Sequence, residues 1–136
     1  MRVVIDTNVL VSACWTPSGL EAQVASLAIS GAITACVSPE ILAEYRDVLS
    51  RPKLASVSDR ACELLAALER AALSVEPAAR VGASIDDDDN RFLECAESAG
   101  AQYLITGNLR HYPANHAVTD IVNARGFLSL NSLPVQ

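Results

Sequence analysis

Cysteine is sparse and scattered: Cys14, Cys36, Cys62 and Cys95 form no C-x-x-C pair. That spacing argues against a zinc site. With no sign of export, reduced and buried thiols are expected, and Cys62 and Cys95 fall within apolar helical patterns as small core residues. Long apolar runs are missing too, and nothing approaches the ~20 residues of a membrane span. Met1-Arg2-Val3-Val4-Ile5-Asp6 reaches a carboxylate too early for a secretory signal, so a cytoplasmic protein with no membrane attachment is expected. Aromatics make up only 4% of the chain while 51% is hydrophobic, so the core should be aliphatic. Positive charge is in deficit, with 10 Lys and Arg against 16 Asp and Glu, a net charge of −6. This argues against a protein held on nucleic acid by bulk positive charge. Carboxylates gathered around divalent ions would also make a chain acidic, and the ions themselves attract phosphate.

The 136 residues suit one compact domain spanning 1–136. Apolar β-branched Arg2 to Ile5 predicts a buried strand ending at Asp6, with Thr7-Asn8 turning the chain into a first helical segment, Val9 to Cys14. Leu20 to Ser30 reads as a helix stopped by Gly31, and Ala32 to Val37 as a second strand. Ser38-Pro39-Glu40 is a helix start: serine caps, proline is tolerated in the first turn, and the acid suits the positive helix end. That helix runs to Arg51-Pro52, and another follows from Ser58-Asp59 to Ala72. Leu73 to Val75 is a short strand and Ala78 to Ser84 a loop. Asp86 to Asp89 opens a helix ended by Gly100. Gln102 to Thr106 is a strand, His111 to His116 a polar turn, Ala117 to Val122 a last strand, and Ala124 to Leu130 a closing helix. Strands and helices alternate, which predicts a three-layer α/β/α fold with a central parallel sheet. In such sheets sites lie beyond the carboxyl ends of the strands, where Asp6-Thr7-Asn8 and Thr106-Gly107-Asn108 fall.

Asp6 leaves a buried strand, although a turn carboxylate capping the next helix would fit as well. Glu44 lies one turn after Glu40 on the same helix face. Glu40 is explained by the helix dipole. Glu44 is deeper in the helix beside Leu42 and Tyr45, where it either faces a cleft or is an ordinary solvated glutamate. Asp86-Asp87-Asp88-Asp89 places four carboxylates together. The helix dipole offsets only ~0.3–1 kcal/mol for each, so a bound cation would explain the excess. The glycine and terminal glutamate of an EF-hand are missing. Asn108 offers a neutral carbonyl oxygen where a further carboxylate would complete a cluster.

In order along the chain, these signals resemble the PIN-domain ribonuclease family. Asp6-Thr7-Asn8 resembles its first motif. Ser38-Pro39-Glu40-Ile41-Leu42-Ala43-Glu44-Tyr45, with Val48-Leu49-Ser50-Arg51-Pro52-Lys53, resembles its second, and Glu44 takes the place of the acidic residue. Asp86 to Asn90 with Arg91-Phe92-Leu93-Glu94-Cys95-Ala96 resembles the third, and Asp89 falls on the motif's aspartate. Tyr103-Leu104-Ile105-Thr106-Gly107-Asn108 with His111 resembles the fourth. The branch most resembled is that of toxins of bacterial toxin–antitoxin systems. The fourth motif usually ends Thr-Gly-Asp, so Asn108 removes one negative charge and puts a second metal site in question.

The resemblance implies hydrolysis of RNA phosphodiester bonds with Mg2+ or Mn2+. It makes Asp6, Glu44, Asp89 and Asn108 the catalytic and metal-binding set, with one ion activating water and a second stabilising the leaving oxygen. Thr7, Asn8 and Thr106 would orient these ligands by hydrogen bonds. Arg91, Arg110 and His111 lie beside the motifs and suit phosphate contact, though each is equally explained as a surface side chain. A cognate antitoxin protein and a homodimer are the implied partners. The main alternative is a non-catalytic PIN-fold interaction module in which Asn108 impairs metal binding. An aspartyl phosphotransferase lacks its second aspartate at Asn8, and a dinucleotide binder lacks G-x-G-x-x-G after the first strand.

Overall fold

The computed structural model describes residues 1–78, 80–84 and 86–131. Ala79, within the expected loop, and residues 132–136 of the expected single domain lie outside the described residues. Six strands, β1 (Arg2–Ile5), β2 (Thr34–Val37), β3 (Leu73–Ser74), β4 (Tyr103–Ile105), β5 (Asn115–His116) and β6 (Thr119–Val122), form one sheet in the order β3-β2-β1-β4-β6-β5. Six helices flank it: α1 (Thr7–Trp15), α2 (Leu20–Ser30), α3 (Pro39–Leu49), α4 (Ser58–Ala71), α5 (Asp87–Ala99) and α6 (Ala124–Asn131). β1 is internal, paired in parallel with β2 and β4. Successive residues of a strand point to opposite faces. Val3, Val4 and Ile5 are all fully buried, so both faces at β1 are covered. α5 packs directly on β1, β2 and β4. The expected α/β architecture is therefore present.

The local signals act as their chemistry predicts. Ser38 Oγ accepts the Ile41 N–H at 3.2 Å, capping α3 with Pro39 in the first turn. Gly31 and Gly100 end α2 and α5 with φ of 85° and 62°, in the left-handed region that favours glycine. Thr7 and Asn8 form the first turn of α1 and not a separate turn, so Asp6 sits at its N-cap with an extended backbone.

Three expectations are corrected. The sheet is mixed, because β5 pairs antiparallel with β6 at the edge. The last strand begins at Thr119 because Ala117 and Val118 form the tip of a tight hairpin between paired His116 and Thr119. Ala117 takes φ of 52° there, a conformation the sequence does not advertise because neither glycine nor asparagine occupies the tip. Cys62 is exposed on α4, while Cys14, Cys36 and Cys95 are buried free thiols. The stretch Pro52–Val57, which the sequence left without structure, is a 3-10 turn whose Leu54 joins the core.

Candidate active site

The end of β1 is fixed from two sides. Tyr45 of α3 is buried and donates its hydroxyl hydrogen bond to the Ile5 carbonyl, and the Asp6 N–H donates to Ile105 of β4 at 2.9 Å. Asp6 is therefore carried to the carboxyl edge of the sheet beside Thr106. Its side chain does not cap α1. Instead Oδ2 accepts from Thr106 Oγ1 at 2.8 Å, Tyr112 OH at 3.0 Å and Asn8 Nδ2 at 3.2 Å. Thr106 Oγ1 also accepts the Asn108 N–H at 2.9 Å, which shapes the turn after β4. Asn8 bridges the first and fourth motifs, since its Oδ1 accepts the Gly107 N–H at 2.7 Å. A Cβ on Gly107 would lie 3.1 Å from that oxygen, so this close approach calls for glycine.

Glu44 is half-buried on α3 and accepts the Thr7 hydroxyl. Thr7 thus orients Glu44 and not Asp6. Asp89 is half-buried in the first turn of α5, with its Oδ2 3.1 Å from Nδ1 of His111. Burial acts on all three acids, and charge couples some of them. Burial raises the Asp6 carboxyl, and its hydrogen bonds from Thr106, Tyr112, the Thr7 backbone and Asn8 only partly offset this. Burial also raises Glu44, against the Thr7 hydrogen bond, and the charges of Asp6, Asp88 and Asp89 add to it. Asp89 is pushed up to about 6, by burial and then by Asp6, with His111 pulling the other way. Burial and the nearby Asp6 and Asp89 charges push the Tyr112 phenol well up, so it remains a protonated donor.

The remaining acids of the run divide their duties. Asp86 caps α5 by accepting the Asp88 N–H at 3.0 Å, and Asp87 pairs with Arg91 at 3.4 Å. Asp86, Asp89 and His111 each bring a potential ligand atom within 4.8 Å of the others. Asp6, Glu44 and Asp89 offer carboxylate oxygens of the kind Mg2+ or Mn2+ prefer, while among the described residues Asp86, Asp89 and His111 are the group whose ligand atoms already lie that close together. His111 adds one imidazole nitrogen to these oxygens.

The phosphate candidates separate. Arg91 is held in an ion-pair cluster, 2.9 Å from Glu94 and 4.0 Å from Glu40. His111 is turned to Asp89. Arg110 and Asn108 are exposed and line an open hollow with Gly107, Leu109, His111 and Asn123. The structure ties Asp6 to Asn8 and Thr106, Glu44 to Thr7, and Asp89 to His111, and it leaves Asn108 exposed at the rim.

Sequence reasoning passed over Tyr112, Asn90 and Glu94. Tyr112 is buried against Asp6, and the only hint was an aromatic in an otherwise polar turn. Asn90 is buried and its Oδ1 accepts the Ser84 N–H at 2.8 Å. Ser84 in turn donates to the His111 carbonyl, so the loop before α5 is tied to the loop after β4. Glu94 is buried and accepts the Val81 N–H at 2.9 Å, with Arg91 beside it.

Carboxylates gathered at the strand edge of an α/β sheet make this an acid-lined site. Residues 2–110 match the family described as PIN domain, and the chain belongs to that family. An uncharacterized protein of Methanocaldococcus jannaschii is 32% identical over 111 residues, covering 79% of this chain and 71% of that protein. The crystal structure of VapBC2 from Rickettsia felis, bound to a DNA fragment from their promoter, superposes with a TM-score of 0.60. That match covers 89% of this chain and 98% of that chain at 16% identity, a likeness of fold.

Proposed function

We propose that this chain is a Mg2+- or Mn2+-dependent endoribonuclease acting as the toxin of a toxin–antitoxin pair. The observation carrying the reading is the convergence of Asp6, Glu44 and Asp89, from three distant segments, near the carboxyl edge of β1; burial raises all three carboxyl groups, and the charge of Asp6 further raises Glu44 and Asp89. Like charges this close favour a divalent cation between them. Membership of a family of nucleases supports the same chemistry. A bound divalent cation would supply Lewis acidity and a nucleophile at neutral pH.

The chain's own residues do the rest. Asp6 and Asp89 hold the ion. Glu44, oriented by Thr7, orients the attacking water, with Asn108 as an outer oxygen ligand. Asn8 and Thr106 fix Asp6. Arg110, exposed beside the hollow, meets a substrate phosphate, and His111 lies close enough to share either duty. Arg91 serves the site by holding α5 and its loop through Glu94.

Single-stranded RNA incubated with Mn2+ should be cleaved, EDTA should abolish cleavage, and Asp6→Asn and Asp89→Asn should each do the same. Cleavage by Asp6→Asn at the wild-type rate would refute the site. A second reading, a non-catalytic interaction module, draws on the neutral Asn108 at the rim; metal binding without any RNA cleavage would favour it.

An antitoxin partner is suggested by the VapBC2 assembly with which the fold is shared. Trp15, Leu109, Val118 and Leu130 are exposed large apolar residues of the kind a homodimer or an antitoxin segment would cover. No described helix is long and apolar enough to cross a membrane, consistent with the proposed cytoplasmic setting. Light scattering after size exclusion tests the dimer, and a monomer at high concentration would count against it.

A further inference from the structure

The side-chain hydrogen bonds to Asp6 are not shared between its two oxygens. Thr106, Tyr112 and Asn8 all donate to Oδ2, at 2.8, 3.0 and 3.2 Å, and none of them reaches Oδ1. A carboxylate oxygen offers about two lone-pair sites, so Oδ2 is saturated. Two of these donors, Thr106 and Tyr112, are themselves buried, and the fold spends a buried phenol on this one atom. Asp6 requires no such help to satisfy a turn, because its side chain caps nothing. The arrangement occupies Oδ2 and leaves Oδ1 without a side-chain donor.

We propose that Tyr112 is a positioning residue which, with Thr106 and Asn8, saturates Oδ2 of Asp6, so that Asp6 presents Oδ1 alone to a divalent cation and the site disfavours Ca2+. The proposal rests on the metal reading above. Its chemistry follows from ligand preference. Mg2+ demands near-ideal octahedral geometry at about 2.0–2.1 Å and suits single-oxygen carboxylate ligands. Ca2+ takes more oxygens at about 2.3–2.6 Å and commonly uses a carboxylate through both. A carboxylate with one oxygen withheld serves the first kind of ion and not the second. Outer partners of this type also hold the ligand's orientation, and their loss typically costs about 10–100-fold in metal affinity.

The test is titration calorimetry with Mn2+ and with Ca2+ on wild type, Tyr112→Phe and Thr106→Val, with thermal melts to check folding. Tyr112→Phe keeps the ring and removes only the hydroxyl. It should weaken Mn2+ about tenfold while Ca2+ binding holds or improves, so the Mn2+ to Ca2+ preference falls about tenfold. Thr106→Val should move the ratio in the same direction and carries the test if the tyrosine variant fails to fold. Tyr103→Phe, whose ring packs edge-on against Phe127 and makes no hydrogen bond to Asp6, should bind both ions as wild type does. Wild-type Mn2+ binding with an unchanged ratio in both variants would overturn the assignment and leave the metal reading standing. Equal weakening of both ions would overturn the single-oxygen arrangement. No Mn2+ binding by wild type would overturn the metal reading and this one with it.

Discussion

Replacing Asp89 by asparagine removes one charge from the acid cluster while keeping the side chain's shape and an oxygen for His111. In the folded protein the Asp89 carboxyl is raised from 3.8 to about 6. Its side chain is only 14% exposed, so solvent screening is modest. At about 1.36 kcal/mol for each tenfold change in proton affinity, this amounts to roughly 3 kcal/mol. The sign follows from proton binding. The folded state holds the Asp89 proton more tightly than the unfolded chain, so this group's stability is fully present below the unfolded value and is lost as pH rises through the folded one. At about pH 7.5 the metal-free wild type bears the whole penalty, and Asp89→Asn should be more stable by up to roughly 3 kcal/mol, a melting point higher by roughly 10 °C. At about pH 4.5 wild-type Asp89 is protonated when folded, and about two thirds of that advantage should vanish. Urea unfolding in EDTA at the two pH values measures both. The order should invert in saturating Mn2+, because an ion at about a thousand times its dissociation constant adds about 4.1 kcal/mol to the wild type alone. No gain for Asp89→Asn at the higher pH, or an equal gain at both, would refute the electrostatic account.

Asn108→Asp adds a charge at the rim; Mn2+ affinity should rise and the apo protein should lose stability, and unchanged calorimetry would remove Asn108 from the ligand set. Ala117→Gly relieves a left-handed alanine at the β5–β6 hairpin and should stabilise by roughly 0.5–1 kcal/mol in urea; a loss would show that the turn carries no strain. Cys62 should react with a thiol reagent in the native protein while Cys14, Cys36 and Cys95 react only on unfolding, and more than one fast thiol would contradict the packing.

The order of elements was legible because it depends on short-range chemistry. Apolar β-branched runs, the Ser38 cap and the stops at Gly31 and Gly100 act within a few residues, and they placed every strand but the short edge strand β5. They also marked Asp6, Asp89 and Asn108, which stand near a strand end or helix start, and Glu44, one turn past Glu40 in α3, as candidates in a recognisable motif. Tertiary structure alone decided which of these residues meet. Thr7 turned out to serve Glu44 and His111 to face Asp89, because those pairings span 37 and 22 residues and depend on how helices seat on the sheet. Tyr112 lies 106 residues from Asp6, and no local pattern links them. Cys62 was misplaced for a related reason: helical periodicity gives a face, but only packing says whether that face is covered. Sequence fixes the local backbone through sterics and hydrogen bonding between near neighbours. Burial, charge proximity and the choice of one carboxylate oxygen over the other arise only when distant segments are packed together.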